Sequence, residues 1–200
     1  MKNPNRRAEA RRAAAGVSNG PDTLIIVNSR HGSALRYAEW ISNALGTDMI
    51  PFNKRRLGYA ALYQNIIYIG WVKNGSIEGL NLLQENHHNF GLHGKKIIVC
   101  AVGAAEPTKH YLSYIKKYNY IKGEFGKSFY YLPGQVNPDK INAADHGVFN
   151  AMNNGILKEL PRSEAEELIL RLTQGYNGID MASVQPIVDE IKATRIVPEV

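Results

Sequence analysis

Three short, uninterrupted apolar runs constrain this chain more than any other feature: Thr23–Asn28, the Ile66-Ile67-Tyr68-Ile69 centre of Leu62–Gly70, and Lys96–Val102. They are too short for buried helices and rich in β-branched residues, so they read as strands covered on both faces. Asp48–Phe52 and Lys127–Leu132 supply two further strands. Segments of helical period alternate with them. In Ala34–Leu45, the residues Leu35, Ala38, Ile41, Ser42 and Leu45 share one face, and Gly46 follows at a C-cap position. Helices are likewise expected over Leu80–Phe90 and Lys109–Tyr118. This alternation predicts an α/β fold, a doubly wound five-stranded parallel sheet with right-handed crossovers.

The remainder reads as helical. One helical stretch runs from Pro138 through Glu159, followed by helices at Ser163–Gln174 and Met181–Ala193. Ser163-Glu164-Ala165-Glu166 reads as a capping box and Asp180 as a cap. The expected organisation is a basic, flexible arm and linker (1–22), a sheet domain (23–160), and a helical C-terminal extension packed on the same domain (161–200).

The net charge of +6 is unevenly placed, because residues 1–12 alone hold +4. A nucleic-acid protein carries its basic surface on the folded body, so no specific nucleic-acid partner is expected, although the arm suits peripheral contact with anionic membranes. No secretory apolar segment follows the arm, and a cytoplasmic location is expected. The single cysteine, Cys100, excludes an internal disulfide and any multi-cysteine metal site; it reads as a small buried hydrophobe. His87, His88 and His93 read as surface residues, so no metal is expected. Tyr111, Tyr114 and Tyr118 fall on one helical face and read as core.

Ligands of open parallel sheets bind beyond the carboxyl ends of the strands. Residues 29–34, 71–79 and 103–108 have that address. In the first loop, Ser29-Arg30-His31-Gly32-Ser33-Ala34, a buried strand meets a helix N-terminus, where free N–H groups and the helix dipole favour an anion. Gly32 permits close approach, Ser29 and Ser33 offer hydroxyls, and Arg30 and Arg36 add positive charge. The same residues would serve a polar strand-to-helix turn that binds nothing. The absence of Gly-Lys-Ser/Thr and of three spaced glycines narrows a bound anion to a monophosphate such as that of FMN.

The stretch Asn28-Ser29-Arg30-His31-Gly32-Ser33-Ala34, followed by Tyr37-Ala38-Glu39-Trp40-Ile41, resembles the phosphate loop and first helix of the flavodoxin-domain family. That family includes the menaquinone-dependent protoporphyrinogen oxidases. Asn65–Gly70 with Gly75 and Gly79 resembles its second flavin loop, and Gly94–Val99 with Val102-Gly103 its fourth strand and third loop. Ile179–Met181 and Ile187–Ile191 resemble an extension of bacterial members. The resemblance implies a flavodoxin-like fold and FMN held by residues 29–34, by Trp71, Val72, Lys73, Asn74 and Gly75, and by Gly103 and Ala104. Trp71 would stack on the ring and Lys73 would stabilise reduced flavin.

Two departures stand out. Ala34 replaces a hydroxyl residue, removing a bond to phosphate worth roughly 1.5–3 kcal/mol, and Ser33 is placed to substitute in part. The second loop reads Gly70-Trp71-Val72-Lys73-Asn74-Gly75 where the family has glycines and Ile-Tyr. The expected function is an FMN-binding oxidoreductase, with a quinone, a porphyrinogen or a redox protein as partner. The alternative is a non-enzymatic carrier or binding module with degenerate flavin loops. No acid–base pair stands out, so no catalytic residue is assigned.

Overall fold

The computed structural model describes residues 23–195; the expected N-terminal arm lies outside the described residues. Five parallel strands form the sheet: β1 (Thr23–Asn28), β2 (Asp48–Pro51), β3 (Asn65–Lys73), β5 (Lys96–Gly103) and β6 (Ser128–Pro133). Their spatial order is β2-β1-β3-β5-β6, and the short β4 (Ser76–Ile77) pairs antiparallel with the end of β3. The order reverses at β1/β3, which opens a crevice at the carboxyl edge between their loops.

The apolar runs divide between two cores. Leu24, Ile26, Ile66, Tyr68, Ile97 and Val99 face one side, while Ile25, Val27, Ile67, Ile69, Ile98 and Cys100 face the other. Side chains on a strand alternate between faces, so two covered faces require every residue to be apolar. Each fully buried isoleucine contributes roughly 1.5–3 kcal/mol. Helices α1 (Ser33–Leu45) and α7 (Gln185–Arg195) cover the second face. The first is covered by α2 (Leu80–Glu85), α3 (Lys109–Tyr118) and a segment between β6 and α7. That segment holds β7 (Gln135–Val136), α4 (Ala143–Met152), α5 (Ile156–Glu159), α6 (Arg162–Gln174) and β8 (Tyr176–Asn177), and β7 pairs with β8.

Several expectations are corrected. The strand run expected from Leu62 begins at Asn65, because Leu62 ends a 3₁₀ helix (Leu57–Leu62), and β3 runs on through Trp71-Val72-Lys73, where a loop was expected. The reason is the dipeptide Asn74-Gly75. Both residues adopt positive φ (45° and 87°), the geometry of a two-residue hairpin turn, and Lys73 pairs with Ser76 across it. The Ser163–Glu166 capping box does not form. Helix α6 starts one residue earlier, and Glu166 pairs with Arg162 at 2.7 Å. Asp180 does cap, accepting from Ala182 N–H at 2.9 Å, but it caps a 3₁₀ turn (Met181–Val184), and the α-helix expected from Met181 begins at Gln185. Of the three aligned tyrosines only Tyr111 is buried; Tyr114 stacks on the half-exposed Tyr118. Cys100 is fully buried. No helix among the described residues is long and apolar enough to cross a membrane.

Candidate functional site

A cavity of about 410 Å³ lies at the carboxyl edge of the sheet. Its floor comes from three strand-end segments: Ser29, Arg30, His31, Ser33 and Ala34 after β1; Trp71, Val72, Asn74 and Gly75 around the hairpin; and Gly103, Ala104 and Ala105 after β5. Two residues singled out from the sequence are not on its surface. Gly32 forms the turn itself, with φ 94° at the N-cap of α1. Lys73 is exposed and lies 4.0 Å from Glu78, because the hairpin carries it past the cavity.

The phosphate-loop geometry follows from its short side chains. Ser29 Oγ accepts from Gly32 N–H at 3.2 Å, and Ser33 Oγ accepts from Gln135 N–H at 3.1 Å. Each hydroxyl accepts from backbone, so its own proton is left for a ligand. The amides of the first turn of α1 have no intrahelical partner and point the same way. Two hydroxyl donors thus stand beside the position where Ala34 lacks one.

The roof was not legible from the strand–helix pattern. Val148, Phe149 and Met152 of α4, Ile156 of α5, and Leu168 and Leu172 of α6 close an apolar lid over the floor. Each floor segment holds this lid by a polar contact. Asp145, whose side chain is 4% exposed, accepts from Arg30 Nε at 2.9 Å and lies 3.2 Å from His31 Nε2. Asn74 Oδ1 accepts from Ile156 N–H at 3.2 Å. Arg171 donates to Ala104 O at 3.1 Å, pairs with Glu106 at 2.5 Å and lies over the Tyr176 ring. Thr108, which caps α3, donates to Glu164 of α6 at 2.7 Å.

Asp145 was missed because the helix was expected to begin at Pro138. A local signal existed. Asn142 and Asp145 form a reciprocal capping box, Asp145 N–H donating to Asn142 Oδ1 at 3.2 Å and Asn142 N–H to Asp145 Oδ2 at 3.1 Å. Burial pushes the Asp145 carboxyl up, but the Asn142 amide, the Arg30 guanidinium and His31 outweigh it and hold the group below its ordinary value. A depressed carboxyl stabilises the fold above its unfolded value, about pH 3.9, and loses that contribution as pH falls through its lower folded value. The stability difference between the native chain and Asp145→Asn should therefore shrink below about pH 4. Urea denaturation of both at pH 3 and pH 7 checks this, and an unchanged difference would refute the coupling.

The remaining cavity electrostatics favour an anion. Arg30 and Lys140 oppose Asp145 among the charged lining residues, and the α1 dipole adds to them. Trp71 stands half-buried at the wall with His31 edge-on, their ring centroids 6.4 Å apart. Deeper in, Tyr111 lies under Gly103, and burial pushes its phenol well up, so it is a neutral donor.

A family profile described as "Flavodoxin domain" matches residues 24–159. No curated protein sequence matches the chain. Among solved structures, the chain is similar to the Trp repressor binding protein from Bacillus subtilis, at 18% identity and a TM-score of 0.45 over 66% of this chain and 98% of that one. Similarity to oxidised Flavodoxin 1 from Bacillus cereus is 13% identity and a TM-score of 0.39, covering 70% and 99% of the two chains. A flavodoxin from the domain Archaea gives 14% and 0.36, over 74% and 98%.

Proposed function

Because the chain belongs to the flavodoxin-domain family, we propose that the roofed cavity binds flavin mononucleotide and that the protein is a flavin-dependent oxidoreductase. The observation that carries this reading is the pair of serine hydroxyls beside the N-terminus of α1, each accepting from backbone and so left to donate to a monophosphate. When bound, the isoalloxazine would supply the electron-accepting and electron-donating chemistry. The chain's own residues bind and orient. Ser29, Ser33 and the first-turn amides of α1 would hold the phosphate, Trp71 offers an aromatic face, and the α4–α6 lid excludes water from the apolar side.

The donor set fits the group despite Ala34. Arg30 is shared with Asp145, so its charge supports the site without facing an anion alone. We further propose a quinone or a porphyrinogen as the substrate, since the lid offers an apolar surface and the lining carries a net positive charge suited to carboxylates. Cytoplasmic residence and peripheral membrane contact belong to the same reading. The engagement of Arg30 by a carboxylate favours one alternative, a binding module or carrier whose flavin loops have been remodelled.

Titration with FMN, followed by flavin fluorescence and visible absorbance, tests the first step. Saturable uptake of one flavin per chain is expected; a colourless protein that leaves flavin fluorescence unchanged would refute it. With flavin bound, quinone-coupled porphyrinogen oxidation is the assay for the substrate, and absence of turnover would favour the carrier.

A further inference from the structure

Asp145 is the one carboxylate on the cavity surface among the described residues. It reaches the site from α4 of the lid and meets the two side chains that follow Ser29 in the phosphate loop. Both of its oxygens are committed. Oδ1 accepts from Arg30 Nε at 2.9 Å and lies 3.2 Å from His31 Nε2, and Oδ2 accepts from Asn142 N–H at 3.1 Å. Arg30 Nη2 donates in turn to Asn142 Oδ1 at 3.4 Å. One whole edge of the guanidinium, Nε with Nη2, therefore faces the lid. Such an edge is the fork with which arginine grips a phosphate through two parallel bonds.

A loop suited to an anion thus already holds one, supplied by the chain itself. The charged groups lining the cavity are Arg30, Lys140 and Asp145, with His31 as a further titratable neighbour. The other acids at this edge, Glu78, Glu106, Asp139 and Asp180, lie off the cavity surface. Lys140 is exposed, and the exposed Asp139 precedes it directly. Burial decides which member of the central pair a ligand feels more. The Arg30 side chain is 36% exposed and the Asp145 side chain 4%. Water screens the half-exposed guanidinium, whereas the carboxylate acts through less polarisable surroundings, so its charge offsets that of Arg30 at the loop.

We propose that Asp145 is a specificity-determining residue of the phosphate loop. Its carboxylate competes with the phosphate of a ligand for Arg30, and so sets how strongly the site prefers a phosphorylated ligand to the same ring system without phosphate. Ser29, Ser33 and the first-turn amides of α1, which are neutral donors, then carry the phosphate contacts while the lid keeps Arg30. In taking the ring system to be a flavin, the inference rests on the FMN reading. The pairing also makes opposite charges at positions 30 and 145 act in opposite directions on a bound phosphate. Removing the carboxylate leaves an uncompensated cation beside the loop, and removing the guanidinium leaves an uncompensated anion.

Flavin fluorescence titrations with FMN and with riboflavin, on the unaltered full chain, D145N, R30Q and the double variant, test this. The ratio of the riboflavin Kd to the FMN Kd isolates the phosphate, because a loosened lid or a less stable fold weakens both ligands alike. D145N is expected to raise the ratio roughly fivefold or more, R30Q to lower it by a similar factor, and the double variant to return within about twofold of the unaltered chain. A carboxylate that only aimed Arg30 at the phosphate would make D145N lower the ratio, as R30Q does. That result, or an unchanged ratio in D145N, overturns the proposal and leaves FMN uptake by the unaltered chain standing. Should the unaltered chain take up no flavin, saturable uptake of FMN but not riboflavin by D145N would uphold the competition while removing the FMN reading of the unaltered chain. No uptake by either chain overturns both.

Discussion

Replacing Asn119 with alanine should destabilise the fold by about 3 kcal/mol and lower the melting temperature by roughly 6–12 °C. The side chain is buried and uses three of its hydrogen-bonding positions. Its Nδ2 donates to Gly75 O at 2.7 Å and to Ile115 O at 2.8 Å, and its Oδ1 accepts from Ile77 N–H at 2.7 Å. One amide thus closes the C-terminus of α3 and pins the turn and the β4 strand of the β3–β4 hairpin, which pairs over only two residues of β4. Alanine leaves the Ile77 amide and the Gly75 carbonyl buried without that partner, and each such group costs about 1–3 kcal/mol. Asn119→Asp is the informative control. It keeps the acceptor but sets carboxylate oxygen against two carbonyls, so it should be no more stable than alanine. Thermal denaturation of both variants measures this, and a shift under about 2 °C would refute the role. Flavin uptake should weaken in parallel, because the hairpin carries Val72, Asn74 and Gly75 into the cavity.

Gly32→Val should weaken FMN binding at least about 100-fold, or roughly 3 kcal/mol, while the sheet stays folded. Gly32 sits at φ 94°, where a β-branched residue is strained, yet nothing lies within 4 Å of an added Cβ. The penalty is therefore one of backbone conformation, relieved only by moving the amides that begin α1. Those are the groups assigned to the phosphate. Gly46, at the other end of the same helix, provides the matched comparison, with φ 58° and the same open surroundings. Gly46→Val should cost similar stability and leave flavin titration unchanged. Equal loss of uptake in both variants would show that general destabilisation, and not the loop, is being measured.

The same contrast between local and distant information runs through the site. Turn chemistry is local, and Asn74-Gly75 predicts a hairpin from two residues once it is weighed against the glycine-rich loop expected there. Capping boxes are local too, but their signal is permissive. Asn142 and Asp145 form one, whereas Ser163 and Glu166 do not, because Arg162 claims Glu166. The second role of Asp145, accepting from Arg30 across 115 positions of sequence, has no local signature at all.

What the sequence alone determined is the central sheet and the address of the site. Uninterrupted apolar runs can be satisfied only by strands covered on both faces, and a glycine between a strand and a helix places free amides at the sheet's carboxyl edge. The tertiary structure alone decided how that site is closed. Residues 134–180 fold back over the edge, bringing apolar side chains above the floor and a carboxylate onto Arg30 and His31. Periodicity within a helix says which face is apolar but not which distant surface will meet it, and only packing settles that choice.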